Sequence, residues 1–255
     1  MRIARFLVEG RPVAGRLEGS HLLPFPEDSL EDLREAAPPV RVGQATFLTP
    51  CRPGKIVAVG LNYRDHARER GKSLPSEPLI FLKPPSAVLA HGESILLPAG
   101  VGRVDHEAEM AIVIGRKARH VAEAEAAAAI LGYTCFNDVT ARELQDREIQ
   151  FTRAKGFDTF APFGPWIETD LDPSDLAITA SVNGRIRQSS RTRELIFSPA
   201  FLVAFISRVM TLFPGDLIAT GTPAGIGPLA PGDRVEVTIA GIGTLSNSVA
   251  GPAVG

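Results

Sequence analysis

The stretch HEAEMAIVI, residues 106–114, places two glutamates at the entry to a compact apolar run. Its apolar part, Ala108–Ile114, is predicted to be a buried strand. Residues i and i+2 of a strand point to the same face, so the carboxylates of Glu107 and Glu109 would lie side by side. This arrangement costs energy unless a shared proton or a cation relieves it, and a hard oxygen-binding ion such as Mg²⁺ would do so. Taken alone, the pair is better explained by a strand end that reaches solvent with both carboxylates hydrated.

Short apolar runs bounded by glycine and proline continue on both sides of this stretch. That pattern is typical of many short strands joined by turns. Asn183-Gly184 predicts a two-residue hairpin turn, because this dipeptide adopts positive φ at little cost. Pro214-Gly215-Asp216 and Pro231-Gly232-Asp233 predict tight turns that each precede a strand. The predicted fold class is therefore mixed α/β and mostly β.

Few segments carry helix signals. The predicted helices are an alanine-rich segment from about Ala122 to Leu131, a segment from Thr140 to about Gln150, a short one from Asn62 to Gly71, and one that begins after Ser198. Ser198 can cap the last of these, with Pro199 in its first turn. Thr140 and Glu143 match the capping-box pattern. Gly71 is expected to end the short helix, because glycine accepts the left-handed conformation there.

The first part of the chain differs from the rest. Residues 1–53 contain short strand-like pieces and an acidic, proline-containing middle, and they end in the connector-like segment from Pro50 to Pro53. A chain of 255 residues is long enough for a small domain followed by a larger one. We therefore predict a small N-terminal domain over residues 1–53 and a larger domain over residues 54–255.

Composition excludes several classes of function. The net charge is −2, so the chain lacks the basic excess that nucleic-acid binding requires. No apolar run reaches the roughly 18 residues of a membrane span, and the N-terminus lacks the apolar stretch of a signal peptide. These features predict a cytoplasmic protein with neither a nucleic acid nor a membrane as a partner. The two cysteines, Cys51 and Cys135, are expected to be reduced.

Further polar side chains near the predicted strands are candidates for a site. Asp138 follows the apolar stretch Tyr133–Phe136 and precedes a predicted helix, a position suited to a metal ligand. By itself, Asp138 is better explained as a turn or capping aspartate. Arg142 and Gln145 are three residues apart on that helix and offer donors for a carboxylate or carbonyl, although a solvated helix face is the alternative. Lys155 lies in a glycine-containing segment where a lysine is usually exposed.

A second candidate group lies on the short helix after Asn62. His66 and Glu69 are three residues apart, so the carboxylate can orient the imidazole and favour its protonated form. Such a pair can take a proton from water. Because Arg64, Arg68 and other charged residues surround the pair, a surface ion pair explains it equally well.

Several common catalytic motifs do not occur in the sequence. It contains no nucleophile elbow, no H-E-x-x-H, no C-x-x-C, no P-loop and no dinucleotide-binding fingerprint. The glycine-rich segment from Thr220 to Gly227 follows a strand with no helix apparent after it. We interpret it as a tight loop that brings backbone amides and Thr222 near a ligand.

Taken together, these segments resemble the fumarylacetoacetate hydrolase family. The matching pieces are Gly60-Leu-Asn-Tyr-Arg-Asp-His66, Phe81-Leu-Lys-Pro84, Asp105-His-Glu-Ala-Glu109, Asn137-Asp-Val-Thr-Ala-Arg-Glu-Leu-Gln145, Lys155-Gly-Phe-Asp158 and Gly221-Thr-Pro-Ala-Gly225. They follow the family's order from about Lys55 to near the end of the chain. Each piece is weak, but the ordered set is highly specific. The segment before Pro53 matches only as the variable small N-terminal domain that many members carry.

The resemblance implies a fold, an assembly and a set of site residues. The fold would be the family's β-sandwich roll with few helices, residues 54–255 would form the catalytic domain, and the protein would be a homodimer. The site residues that the resemblance implies are Glu107, Glu109 and Asp138 as ligands of Mg²⁺ or Mn²⁺, Arg142, Gln145 and Thr222 as substrate-binding residues, and His66, Glu69 and Lys155 as catalytic residues. In the acylpyruvase-like branch, a lid carries a histidine and a glutamate three residues apart, which His66 and Glu69 match.

This site is suited to chemistry on a small oxo-acid. The resemblance implies a Mg²⁺-dependent hydrolase that cleaves a C–C bond of an acylpyruvate-like 2,4-dioxo acid through a metal-bound enolate, with the His66–Glu69 dyad activating water. Members without the dyad tend to be isomerases, so its presence favours cleavage. The alternatives at the same site are oxaloacetate decarboxylation and isomerisation of a hydroxymuconate- or hydroxyheptadienedioate-type dienol. An alternative of another class is a metal-stabilised binding protein without catalytic activity.

Overall fold

Strands dominate the computed structural model, which describes residues 1–28, 30–43 and 45–252. The strands are β1 (Arg2–Val8), β2 (Arg11–Glu18), β3 (His21–Pro24), β4 (Val40–Arg41), β5 (Thr46–Phe47), β6 (Ile56–Val59), β7 (Ile80–Lys83), β8 (Val88–Leu89), β9 (Ser94–Leu96), β10 (Val104–His106), β11 (Ala108–Ile114), β12 (Ile130–Asn137), β13 (Thr140–Ala141), β14 (Ala161–Glu168), β15 (Ala177–Val182), β16 (Arg185–Arg191), β17 (Leu217–Ala219), β18 (Gly227–Pro228), β19 (Arg234–Ile239) and β20 (Gly243–Ala250). The α-helices are α1 (Arg64–Glu69), α2 (Glu123–Ala126), α3 (Arg142–Arg147), α4 (Thr152–Lys155) and α5 (Pro199–Val209). The prediction of a mostly β fold with few helices is confirmed.

The strand β11 lies in the middle of the largest sheet. The main path of this sheet runs β4-β3-β2-β1-β14-β12-β11-β17-β6-β7, and the other two sheets run β13-β10-β18 and β16-β15-β19-β20-β9. β11 is antiparallel to both of its neighbours, β12 and β17. Its pairing with β12 sets Ala108 opposite Asn137, which brings the start of β11 next to the end of β12.

Both faces of β11 are buried, which explains its continuous apolar sequence. Met110 and Ile112 face a core shared with the five-stranded sheet and α5. Ala111 and Val113 face a second core, which residues of the N-terminal segment and of β14 complete. A strand covered on both sides has no polar face, so alternation disappears from its sequence. The two sheets packed in this way form the predicted sandwich.

The predicted turns are confirmed. Asn183 and Gly184 have φ of +53° and +74° and close the hairpin between β15 and β16. Gly215 and Gly232 have φ of +85° and +92° and lie directly before the residues that lead into β17 and β19. The α5 prediction is confirmed as well, since the Ser198 hydroxyl accepts a hydrogen bond from the Phe201 amide at 3.1 Å.

Three helix predictions need correction. The alanine-rich helix ends at Ala126 and continues only as the 3₁₀ turn Ala127–Ala129, because Ile130 and Leu131 belong to β12. Pairing with β11 outweighs the helix preference of the alanines there.

Thr140 does not cap a helix and lies in β13, where its hydroxyl donates to the Asp138 carbonyl at 2.8 Å. The helix that follows, α3, begins at Arg142 and ends at Arg147, before the predicted end at Gln150. Asn62 is not a cap either: its amide donates to the Thr220 carbonyl at 2.8 Å, and α1 begins two residues later.

The first 53 residues join the large sheet, because β1 pairs with β14 in antiparallel register. The N-terminal amine adds an ion pair of 2.8 Å to Glu168. A separate domain over residues 1–53 stays a prediction. Cys51 and Cys135 are buried and free, as expected. Among the described residues, no helix has both the length and the apolar character to span a membrane.

Candidate active site

Three buried carboxylates meet where β11 begins and β12 ends. Glu107 directly precedes β11, Glu109 is its second residue, and Asp138 directly follows β12. The strand pairing continues past the ends, since the Asp138 amide donates to the Glu107 carbonyl at 2.9 Å. One oxygen from each carboxylate lies within 4.8 Å of the other two. The structure thus brings together the three residues that the sequence proposed as metal ligands, which we call the carboxylate cluster.

Three cations contact the carboxylate cluster. The Lys155 ammonium lies 2.8 Å from Glu107 Oε2 and 2.6 Å from Asp138 Oδ2. Arg142 pairs with the other oxygen of Glu107. Lys83 Nζ lies 2.5 Å from Asp138 Oδ1. Lys155 is therefore buried and not exposed, contrary to the ordinary expectation for a lysine in such a segment.

Glu109 differs from the other two carboxylates. It forms no ion pair with any residue that the structure describes, and its Oε2 accepts a hydrogen bond from the Gly221 amide at 2.8 Å. Burial, together with the charges of Asp138 and Glu107, raises the pKa of Glu109 well above its usual value. Burial would also raise the pKa of Glu107, but Lys155 and Arg142 lower it to about 2.

These charges fit a divalent cation. The neighbouring lysines and arginine form no ion pair with Glu109, and its raised pKa favours the protonated form unless a further cation is present. Lys155 already bridges Glu107 and Asp138, which shows that the two carboxylates can share one positive group. Oxygen donors alone suit a hard ion of the Mg²⁺ or Mn²⁺ type. Glu107, Glu109 and Asp138 could therefore hold a divalent metal.

A cavity of about 340 Å³ opens above the carboxylate cluster. Its lining includes all nine residues that the sequence proposed except Glu69. His66 enters from α1, and its Nδ1 lies 2.8 Å from Glu69 Oε2. The other oxygen of Glu69 accepts from the Gly225 amide at 3.0 Å. This contact engages Nδ1, so Nε2 is the ring nitrogen available to a water or a substrate.

Arg142 and Gln145 lie together on α3, as predicted. Arg142 Nε donates to Asp105 Oδ2 at 2.8 Å, and its two remaining nitrogens contact Glu107 and Gln145. The fork of donors is thus held on three sides, which fixes the plane of the guanidinium. Burial lowers the pKa of Arg142, but Glu107 and Asp105 raise it by more than burial lowers it. The net pKa is above the usual value, so the group stays charged.

Thr222 lies at the cavity wall with its hydroxyl engaged by the protein. The hydroxyl donates to the Ala108 carbonyl at 2.9 Å and accepts from Gln188 Nε2 at 2.8 Å. Gln188 also accepts from the Ala108 amide at 2.9 Å and donates to the Pro223 carbonyl at 2.8 Å. This single buried side chain therefore joins β11 to the loop that carries Thr222.

The sequence analysis missed Gln188, Lys83 and Asp105 as parts of the site. Gln188 lies in the polar strand β16, where no local signal distinguishes the one buried residue from its exposed neighbours. Lys83 did carry a signal, because it ends the apolar run of β7. Its partner Asp138 is 55 residues away, so the pair itself was not visible.

A family model described as fumarylacetoacetate (FAA) hydrolase C-terminal matches residues 55–250. The chain belongs to the fumarylacetoacetate hydrolase family. Members of this family are enzymes, which disfavours the alternative of a binding protein without activity. The match begins two residues after the predicted connector that ends at Pro53.

Similar proteins of the fumarylacetoacetate hydrolase family span several activities. The crystal structure of 5-carboxymethyl-2-hydroxymuconate delta-isomerase from Mycobacterium smegmatis has a TM-score of 0.93 and 43% identity, over 98% of this chain and 100% of that one. Oxaloacetate tautomerase Fahd2a of Rattus norvegicus is 42% identical over 81% of this chain and 70% of its own. Maleylpyruvate hydrolase from Sphingobium sp. SYK-6, solved with manganese(II) and pyruvate, has a TM-score of 0.82 and 31% identity, covering 99% and 100% of the two chains.

Proposed function

We propose that the chain is a Mg²⁺- or Mn²⁺-dependent hydrolase that cleaves a C–C bond in an acylpyruvate-like 2,4-dioxo acid. The observation that carries this proposal is the shared cavity. His66, held by Glu69, and the carboxylate cluster line the same space of about 340 Å³. A group able to activate water and a site able to hold a metal therefore face one substrate-sized volume.

The metal would be held by Glu107, Glu109 and Asp138. Three carboxylates leave roughly three positions of an octahedral ion open. A bound divalent cation would act there as a Lewis acid toward the carboxylate and keto oxygens of a 2-oxo acid. The manganese and pyruvate in the related maleylpyruvate hydrolase support this assignment.

The cations around the cluster would orient the substrate. Arg142 and Gln145 offer N–H donors to its carboxylate, and the charge of Lys155 offsets negative charge that develops on the keto oxygen. Burial lowers the pKa of Lys155, but Asp138 and Glu107 raise it above its usual value, so Lys155 acts as a fixed cation and not as a base. Thr222 completes the wall beside the cluster.

The chain's own acid–base group would be His66. His66 Nε2 takes a proton from water while the water oxygen attacks the distal carbonyl, C4, of the 2,4-dioxo acid. The C3–C4 bond breaks, and its electron pair stays with C3 to form the enolate of pyruvate. The imidazolium returns its proton to C3, which leaves pyruvate, the carboxylic acid and a neutral His66. Glu69 holds the ring in place and stabilises its protonated form.

A second candidate is proton transfer without water attack. The related isomerase and oxaloacetate tautomerase, both above 40% identity, favour it. The same His66 could carry a proton between the carbon and oxygen ends of an enol. A third candidate, decarboxylation of oxaloacetate, also needs no water nucleophile.

Product analysis in ¹⁸O-labelled water separates these reactions. With Mg²⁺ or Mn²⁺ present, we expect acylpyruvate to yield pyruvate and an acid that contains one labelled oxygen. Lactate dehydrogenase coupling detects the pyruvate, and loss of enol absorbance without pyruvate detects tautomerisation. His66→Ala and Glu69→Gln should lower hydrolysis by about 10²- to 10⁴-fold, the usual range for a general base.

Arg68→Gln on the same helix is the matched control, because Arg68 is exposed and lies outside the cavity lining. Acylpyruvate cleavage that survives unchanged in His66→Ala would contradict the water-activation role. Turnover of oxaloacetate or a dienol alone would instead support the second candidate.

A further inference from the structure

Four cations line the cavity, and they form two unlike pairs. Arg142 and Lys155 lie at its deep end, where both are buried and paired with the carboxylate cluster. Arg70 and Lys72 also line the cavity, but both are exposed. Neither side chain of this second pair forms an ion pair with any part of the chain that the structure describes. The catalytic scheme uses the first pair and leaves the second without a role.

The backbone holds the second pair at the cavity. Arg70 directly follows α1, and its amide donates to the His66 carbonyl at 3.0 Å. Gly71 turns the chain with φ of +60°, and the Lys72 amide then donates to the Ala67 carbonyl at 2.9 Å. This hydrogen-bonded helix end is a Schellman motif. It fixes both cations to the helix that also carries His66.

The charge of the cavity favours a ligand with more than one negative charge. Four carboxylates line it, namely Glu107, Glu109, Asp138 and Asp146, and they balance the four cations. A divalent ion at the carboxylate cluster would therefore leave an excess of two positive charges. Charged residues outside the lining form ion pairs with it: Lys83 and Asp105, which cancel each other, and Glu69, which pairs with His66.

We propose that Arg70 and Lys72 form a distal anion subsite, and that the substrate is a 2-oxo acid with a second carboxylate at its far end. The inference rests on the proposed function, because it places the first carboxylate at the metal end of the cavity. Arg70 offers a planar fork of donors that matches a carboxylate, and Lys72 adds a point charge. Asp146 is the exposed carboxylate of the lining.

Binding of unreactive acids tests the subsite separately from turnover. We would titrate the Mn²⁺-loaded full-length protein in a calorimeter with two matched pairs: 2-oxoglutarate against 2-oxopentanoate, and 2-oxoadipate against 2-oxohexanoate. Within a pair only the terminal carboxylate differs. For at least one chain length, we expect the diacid to bind about tenfold tighter or more, a range typical of charge-assisted contacts. The advantage should shrink as salt rises, because both cations are exposed.

The double variant Arg70→Gln/Lys72→Gln should bring the diacid to the level of its partner and leave the monoacid within about threefold, since only the distal contacts are removed. Arg68→Gln, one turn away and outside the lining, should keep the full diacid advantage. Equal binding within both pairs in the unaltered protein, or an advantage that survives in the double variant, would overturn the subsite. Failure of all four acids to bind the Mn²⁺-loaded protein would instead overturn the proposed function on which the subsite rests.

Discussion

The two ends of the cavity handle charge in opposite ways. At the deep end, Glu107 and Asp138 are buried and each of their oxygens contacts Arg142 or a lysine. At the outer end, Arg70 and Lys72 are exposed and unpaired among the described residues. An unpaired buried charge is costly, whereas a hydrated one costs little. The deep end is therefore fixed before a substrate arrives, and the outer end keeps its charges available for one.

The difference separates chemistry from selectivity. Groups that act on the reacting bond need fixed positions, which burial and ion pairing provide. Groups that choose among substrates need only be present where the substrates differ. Changes at the deep end should consequently affect stability, metal binding and turnover together, and changes at the outer end should affect the choice of ligand.

The largest effect is expected for Asp138→Asn. The change removes the carboxylate partner of buried Lys83 and one of the two partners of Lys155. Breaking a buried pair from one side typically costs about 3–5 kcal/mol. Urea unfolding should show a loss of that size, and calorimetry should show loss of Mn²⁺ binding. Asp146→Asn, at an exposed carboxylate of the same cavity, should change the free energy of unfolding by less than about 0.5 kcal/mol. Equal losses in the two variants would mean that the ends do not differ.

The second-largest effect is expected for Gln188→Leu. The variant leaves the Ala108 amide and the Pro223 carbonyl without the Gln188 partner, and it removes one hydrogen bond each from the Thr222 hydroxyl and His106 Nδ1. Unsatisfied buried groups cost about 1–3 kcal/mol each before relaxation, so we expect a total loss of about 2–4 kcal/mol. Because Gln188 joins β11 to the loop, Mn²⁺ affinity should fall about tenfold as well. The neighbouring exposed change Arg187→Ala should leave both quantities unaltered, and a stable Gln188→Leu protein with full affinity would refute the joining role.

Glu109 gives the deep end a distinct pH dependence in the metal-free protein. Its pKa is raised in the folded state, so above about pH 4.5 the folded protein holds a proton that the unfolded chain has released. The free energy of unfolding then falls as pH rises toward the folded pKa, by up to about 1.4 kcal/mol per pH unit. With a chelator present, unfolding curves from pH 5 to 8 should show this slope, and Glu109→Gln should reduce it. Parallel curves for the two proteins would show that Glu109 is ionised without a metal.

The smallest effect is expected for Gly71→Ala at the outer end. An added Cβ meets no atom within 4 Å, so the change acts only through the left-handed φ of +60°. The expected loss of stability is about 1 kcal/mol. Diacid binding should weaken a few-fold while Mn²⁺ affinity stays constant, because the turn that carries Arg70 and Lys72 loosens. Gly71→Asn, which tolerates this conformation, should restore both, and a fall in Mn²⁺ affinity would contradict the independence of the two ends.

Local patterns predicted the parts of the fold that depend on neighbours in sequence. The alternation of Glu107 and Glu109, the Asn183-Gly184 turn and the Ser198 cap follow from geometry over a few residues, and each was found. The resemblance to a family then supplied the set of candidate residues, which the fold gathers around one cavity.

The errors and omissions involve partners that are distant along the chain. The local sequence predicted Thr140 as a helix cap, but Thr140 lies in β13 and pairs with β10. Ile130 and Leu131 were predicted to be helical, but they belong to β12, which pairs with β11. Gln188 is 80 residues from Ala108, and no local pattern reveals which residue of a polar strand will be buried. Long-range pairing decided these cases against local preference.

The most direct test of the metal site follows Mn²⁺ with electron paramagnetic resonance and water-proton relaxation. We expect the metal-free protein to bind one Mn²⁺ per chain with strong relaxation enhancement, because open coordination positions hold exchanging water. Addition of pyruvate should lower the enhancement as the oxo acid replaces that water, and Glu109→Gln should abolish the bound signal. A protein that binds no stoichiometric Mn²⁺, or one whose bound ion keeps its enhancement when pyruvate is added, would contradict a metal centre built to receive a chelating substrate.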